Sequence, residues 1–301
     1  MTPRNQEASC RRPKLSVSIV VFKESAKQLC SVLSCLGAAK IPMLITVVDN
    51  SPSDELRHVA EAAKATYIFS GTNRGFGSGH NLVLREKLAD FPYHLVLNAD
   101  VEIPPQTIET LTEFMDANPN VGLVAPKVLS SDGSEQGQAR RLPTPLNLLT
   151  RRLLGSKALS GDLHLSENEP SFVPFLSGCF MLLRGSVLEK SGLFDERFFL
   201  YMEDVDLSRR IGDFSNTVYH PSVKIYHHHA RGSYKNYRML WIHICSAILY
   251  FNKWGWMWDR DRQERNVVAG RPVTVEPLKL VGRWRDMDIR TEQAPTERPS
   301  S

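Results

Sequence analysis

Between Leu15 and Val128, short runs of β-branched and other apolar residues alternate with stretches whose apolar residues recur every three or four positions. The runs Leu15–Phe22 (LSVSIVVF), Ile41–Val48 (IPMLITVV), Ala65–Phe69, Tyr93–Leu97 (YHLVL) and Val121–Val128 read as strands. Between them, residues 25–37 carry Leu29, Val32, Leu33 and Leu36 at helical spacing. Residues 54–64 read as a helix with Ser53 as its N-cap, and Gly79–Leu88 as another. Pro104–Asn118 reads as a helix with proline in its first turn. Strands that are apolar on both faces belong to a mostly parallel sheet with helices packed on either side, so the fold class is α/β. Ligands of such sheets bind beyond the carboxyl ends of the strands. The residues that follow each run are therefore the ones to inspect for chemistry.

The 301 residues suffice for one large domain or two small ones. With 42% hydrophobic and 23% charged residues the chain can bury a core, which excludes wholesale disorder. A formal charge of +4 falls short of the dense basic stripe of a nucleic-acid protein, and no nucleic-acid partner is expected. It fits an anionic small substrate or an anionic membrane surface. The five cysteines, Cys10, Cys30, Cys35, Cys179 and Cys245, are scattered and form no Cys-x-x-Cys pair. They argue for reduced thiols rather than a disulfide framework or zinc site. Residues 1–14 read as a disordered leader without the apolar core of a signal peptide, and residues 282–301 as a disordered tail. The longest apolar run, Met239–Phe251, is interrupted by His243 and is shorter than the roughly 20 residues of a membrane span.

Three strand ends carry polar chemistry. The second runs into Asp49-Asn50-Ser51, where a carboxylate can accept hydrogen bonds from a ribose or base edge, although Asp-Asn-Ser-Pro is equally turn chemistry. The third runs into Gly71-Thr-Asn73-Arg74-Gly75-Phe-Gly77-Ser-Gly79, glycines that let a backbone approach a ligand, with N–H groups entering a helix and Arg74 as an added cation. A dinucleotide fingerprint is a poor match, because His80 stands where its third glycine belongs and the loop follows the third strand rather than the first. The fourth ends in Asn98-Ala99-Asp100, where a carboxylate can hold Mg²⁺ or Mn²⁺ against a diphosphate.

Further on, Asp195, Glu196, Glu203, Asp204 and Asp206 crowd into a segment interleaved with Phe194, Phe198, Phe199 and Tyr201. Like-charge repulsion and partial burial are expected to raise at least one carboxyl pKa among Glu203, Asp204 and Asp206, as a general base near neutral pH requires. The triplet His227-His228-His229 cannot ligate one ion from a strand, whose successive side chains face opposite ways. One of the three could complete a metal site begun by Asp100.

In this order, Asp49, the Asn73-Arg-Gly-Phe-Gly loop, Asn98-Ala-Asp100, the Phe194-Asp-Glu-Arg-Phe-Phe and Glu203-Asp-Val-Asp-Leu pair and the late histidine resemble the inverting family 2 glycosyltransferases of GT-A fold, in particular the bacterial rhamnosyltransferase-like branch. The resemblance covers residues 15–260. It implies a donor nucleotide-binding half at 15–128, an acceptor and catalytic half at 129–260, and a C-terminal extension at 261–301. It implies that Asp49 contacts the nucleotide, that Asn73, Arg74, Gly75 and Asn98 line the donor site, and that Asp204 is the catalytic base with Glu203 its nearest rival. The family's Asp-x-Asp motif begins here with Asn98, which leaves Asp100 as the acidic metal ligand. His227 resembles the late metal-ligand histidine, with His228 and His229 in competing registers.

The implied reaction moves a sugar, L-rhamnose from dTDP-rhamnose as the leading donor, to a saccharide or lipid-linked acceptor in bacterial surface polysaccharide synthesis. The same fold using another UDP- or GDP-sugar is the alternative. A sugar-phosphate nucleotidyltransferase is disfavoured because Lys23-Glu24-Ser25-Ala26 replaces its glycine-rich basic loop. A glycosidase has no need of a diphosphate-binding half. Arg140, Arg141, Arg151 and Arg152 form a basic group in a loop-rich stretch, read as a solvated face or a surface for an anionic acceptor. Residues 238–258, with Trp241, Trp254, Trp256 and Trp258, read both as a helix packed on the core and as peripheral contact with a membrane. The expected location is the cytoplasm, peripherally at the inner face of the inner membrane.

Overall fold

The computed structural model describes residues 13–137, 139–154, 163, 165–228 and 237–273, with no side chains for 151–154. Most of the expected leader and the whole expected tail lie outside these residues, as do His229 and the side chains of Arg151 and Arg152.

Four parallel strands form one half of the main sheet, in the order β3 (Thr66–Phe69), β2 (Met43–Asp49), β1 (Leu15–Val21) and β4 (Tyr93–Leu97). The sheet continues through β10 (Phe180–Arg184), β6 (Val121–Leu129), β11 (Asn216–His227) and β5 (Val101–Glu102), with β8 (Ser171–Phe172) also on β11. β10 runs antiparallel between β4 and β6, while β6 and β11 are parallel. The sheet is thus mixed in its second half, and the fifth strand read from the sequence is not β4's neighbour. Residues 180–183 are too short and uniformly apolar to be told from other buried chain by periodicity.

Alternate residues on the strands feed two cores. Leu95, Leu97 and Leu182 face one side, with Leu29, Leu33 and Leu36 of α1 (Ala26–Gly37) and Leu111 and Met115 of α4 (Thr107–Ala117). Val96, Met181 and Leu183 face the other, with Leu84 of α3 (Phe76–Lys87) and Leu207 and Ile211 of α7 (Glu203–Ile211). Helices on both faces of a mostly parallel sheet are what two-sided apolar strands demand.

Local chemistry sets the helix starts. Ser25 caps α1 in a reciprocal pair with Gln28, Gln28 N–H donating to the Ser25 hydroxyl at 3.3 Å. α2 is shorter than the sequence suggests, Arg57–Ala62, and Ser53 does not cap it. Ser53 donates instead to Glu55, and Asp54 accepts from Arg57, so these residues form the preceding turn. α4 starts at Thr107 because Gln106 is left-handed (φ 68°), which leaves Pro104 outside the helix. α3 starts at Phe76, earlier than expected, because Gly75 turns the chain at φ 88° directly before it.

A third, smaller core lies under α8 (Tyr237–Trp254), where Tyr250 and Phe251 pack on Phe198, Met202 and Val205. The segment after α8 is built into the fold. Asp259 and Asp261, at the start of α9 (Arg260–Val268), accept from Arg209 of α7, which is itself fully buried.

Candidate active site

The carboxyl ends of β1 to β4 gather Glu24, Asp49, Asn73 to Gly75 and Asn98 to Asp100 along one edge, as strand register requires. Asp49 is fully buried; one oxygen accepts Ser51 N–H at 2.8 Å and the other the Tyr67 hydroxyl at 2.6 Å. That bond and burial push the Tyr67 phenol up. Asp49 therefore shapes the floor of the edge, with both of its oxygens held by protein donors. Asn73 is exposed, and its carbonyl oxygen accepts Gly75 N–H at 3.0 Å. Arg74 is exposed and donates to Ser70.

Gly75 explains why the loop needs glycine. A Cβ there would lie 2.2 Å from the Phe199 carbonyl oxygen, which instead accepts Phe76 N–H at 3.0 Å. Asn50 donates to the Gly75 carbonyl from the other side. Asn81 of α3 binds the Phe194 backbone in both directions and donates to Glu196, which also accepts from Arg85. The glycine loop and the segment 194–199 are thus zipped together. Asn50 and Asn81 were not singled out in the sequence because a bracing asparagine looks like any turn or helix residue.

The short strand β5 brings two distant segments together. Pairing of His227 with Val101 and a hydrogen bond from His228 N–H to the Asp100 carbonyl set the register. His227 Nε2 then lies 3.2 Å from Asp100 Oδ1 and 3.4 Å from Asn98 Nδ2. Its Nδ1 lies 3.0 Å from Gln136 Oε1, a partner that fixes how the ring presents Nε2. His228 turns away to Ser131 and Glu102. Glu24 was missed as a site residue; it is half-buried, and burial together with the charge of Asp100 raises its pKa.

Glu203 and Asp204 open α7 directly after Tyr201 and Met202, both at φ 68°. Two consecutive left-handed side-chain-bearing residues are a local strain of the kind that accumulates at functional sites. Asp204 accepts Gly178 N–H at 2.9 Å and Val205 N–H at 2.8 Å. The next residue, Cys179, accepts Asn98 N–H through its carbonyl at 3.0 Å. One turn, 178–179, therefore links the Asp100–His227 pair to Asp204. Burial pushes the Cys179 thiol up, with Asp100 and Asp204 adding to the rise. Burial raises Asp204 despite its two backbone donors, and Arg140 opposes that rise. Glu203 is raised well above the usual carboxyl range by burial and by Asp204, and its Oε2 has no hydrogen-bond partner.

The remaining acids of the cluster are braces. Asp206 is fully buried, paired with Arg210 and with Lys253 at 2.7 Å, and it accepts from the Trp254 indole. Asp195 is held well below the usual range by Arg197 and Lys253.

Among the described residues no cluster of three or more His, Cys, Asp and Glu side chains could hold a metal ion. Asp100 and His227 supply one hard oxygen and one imidazole at a single point. That donor set fits a divalent cation whose remaining positions are filled by substrate phosphate and water.

The sheet thus gathers acids, a glycine loop and an imidazole at its carboxyl edge. The chain belongs to glycosyl transferase family 2, whose profile matches residues 16–192. It is 34% identical over 200 residues to the low-salt glycan biosynthesis hexosyltransferase of Haloferax volcanii, which covers 65% of this chain and 61% of that protein. It is 30% identical over 214 residues to the N-acetylglucosaminyl-diphospho-decaprenol L-rhamnosyltransferase of Mycobacterium tuberculosis, covering 65% of this chain and 70% of that one. Its fold matches a mannosyltransferase of Pyrobaculum calidifontis in complex with GDP-Man and Mn²⁺, with a TM-score of 0.54 and 17% identity, over 80% of this chain and 65% of that one.

Proposed function

We propose that the protein is an inverting, metal-dependent hexosyltransferase, with L-rhamnose from dTDP-rhamnose as the leading donor and a saccharide, lipid-linked, as the acceptor. The observation that carries this reading is the turn 178–179, which holds a raised carboxylate, Asp204, beside the Asp100–His227 pair. Asp204 takes the proton of an acceptor hydroxyl as that oxygen attacks the anomeric carbon. The bond from that carbon to the diphosphate oxygen breaks, and configuration inverts in one displacement. Glu203, its carboxyl raised well above the usual range by burial and by the neighbouring Asp204, is the rival base of the pair. Asp100 and His227 would hold Mg²⁺ or Mn²⁺, which neutralises charge on the departing diphosphate. The loop 73–75, with Asn98 and Asp49, receives the nucleotide. The rhamnosyl assignment follows the name of the mycobacterial relative, and the decaprenol in that name supports a lipid-linked acceptor met peripherally at the inner membrane.

Calorimetry of dTDP-rhamnose and a panel of UDP- and GDP-sugars, with and without Mg²⁺ or Mn²⁺, tests the reading. Metal-dependent binding of one donor is expected, and retained binding with lost turnover in Asp204→Asn. Binding of no nucleotide-sugar under either condition overturns it.

A further inference from the structure

α8 is built inside out. Its inner face buries Ser246, Tyr250 and Phe251, yet its outer face is also apolar. Tyr237, Trp241, Ile244 and Ile248 recur at spacings of four, three and four and are all exposed, Trp241 by 67%. At about 1.5 Å per residue the stripe runs roughly 17 Å. The turn after the helix extends it with Trp256, Met257 and Trp258, the last 94% exposed. The other exposed residues of α8 are Arg238, Cys245 and Asn252, so the outer face carries no acid. Scattered exposed apolar residues need no explanation, but a contiguous stripe does.

We propose that this face is the surface by which the protein rests on a lipid bilayer with anionic headgroups. Tyr and Trp rings at both ends of an isoleucine centre suit the boundary between headgroup and acyl chain. Arg238 stands at the start of the stripe and Arg197 on the groove beside it, with no acid on the outer face of α8; Arg197 and Arg260 are themselves paired with Asp195 and Glu264. A groove of about 320 Å³ opens on the same face, lined by Arg197, Phe199, Trp241, Ile242, Cys245 and Leu249. Phe199 also carries the carbonyl on which the glycine loop docks. A bilayer against this face therefore brings lipid-linked material to the edge of the catalytic segment, whereas a second copy there would cover the groove. The inference rests on the proposed lipid-linked acceptor for its purpose, though not for its test.

The test is flotation of the full chain with phosphatidylcholine vesicles and with vesicles that also contain phosphatidylglycerol, beside gel filtration and donor turnover in solution. The wild type is expected to float with the anionic vesicles, less with neutral ones, and less at high salt. The double variant Trp241→Ser/Trp258→Ser is expected to lose partitioning about tenfold or more at unchanged Tm. Trp258→Ser alone, farthest from the groove, loses a smaller part. A wild type that stays unbound, or a double variant that floats like it, overturns the proposal. So does a dimer that the double variant turns into a monomer, since the face then serves a second copy. A chain that floats but binds no nucleotide-sugar refutes the transferase reading alone, and one that turns over without floating refutes the membrane face alone.

Discussion

Glu203 and Asp204 are neighbours with opposite assignments, and each makes a prediction. Asp204 is raised above the ordinary 3.8, so kcat/KM falls tenfold per pH unit below a pKa that lies above that value. An acid limb at or below 3.8 would count against it as the base. Asp204→Asn loses on the order of 10²–10⁴ in rate, whereas Glu203→Gln keeps most of it if Asp204 is the base. The stability consequence of Glu203 has a definite sign. Its folded pKa lies above the unfolded 4.5, so the folded state holds the proton more tightly and wild-type stability falls as pH rises through that window. Glu203→Gln removes this loss. Its Tm advantage should grow as pH rises above about 4.5, with about 1 kcal/mol corresponding to roughly 2–4 °C. The acid cluster was visible in the sequence and the resemblance pointed to Asp204 as base, but the bracing of Asp206 was not legible, because it differs from Asp204 only in facing Lys253 and Trp254.

At the scale of elements, two docking contacts hold the site. Gly75 fixes the glycine loop on the Phe199 carbonyl, and Gly75→Ala places a methyl group 2.2 Å from that oxygen at φ 88°. We expect about 1–3 kcal/mol of lost stability and a larger loss of donor affinity than of fold. Titration calorimetry and thermal melting separate the two. The other contact is Arg209 against Asp259 and Asp261, which ties the helix bearing Glu203 and Asp204 to α9. Arg209→Ala removes the two-pronged partner of the buried Asp259, leaving it Arg262 at 3.8 Å, and should cost about 3 kcal/mol. Asp259→Ala should cost a similar amount, and the double variant much less than their sum, as denaturant melts of the cycle would show. The glycine was legible as a loop residue from its neighbours. The Arg209 clamp was not, since an arginine in a helix of charged residues reads as a solvated one.

At the scale of the molecule, donor and cation should act as one ligand. On the proposed reading, Mn²⁺ with the nucleotide-sugar should stabilise the fold by about 2.7 kcal/mol at a hundred times Kd, read as a rise in Tm, and Asp100→Asn or His227→Ala should remove the part that chelation removes. A Tm gain that survives chelation would detach the pair from metal binding. The sequence by itself determined the class of fold and the order of its chemistry. Two-sided apolar strands leave few architectures besides a helix-covered parallel sheet, and ligand-bearing residues must follow such strands. Tertiary structure alone decided the mixed second half, where β10 enters between β4 and β6, and which histidine of the triplet meets Asp100. Both depend on pairing between segments far apart in the chain, β10 with β4 and β6 in the first case and, in the second, Asn98 with His227, separated by 129. Hydrogen-bond register, which no local periodicity encodes, turns His227 toward the site and His228 away from it.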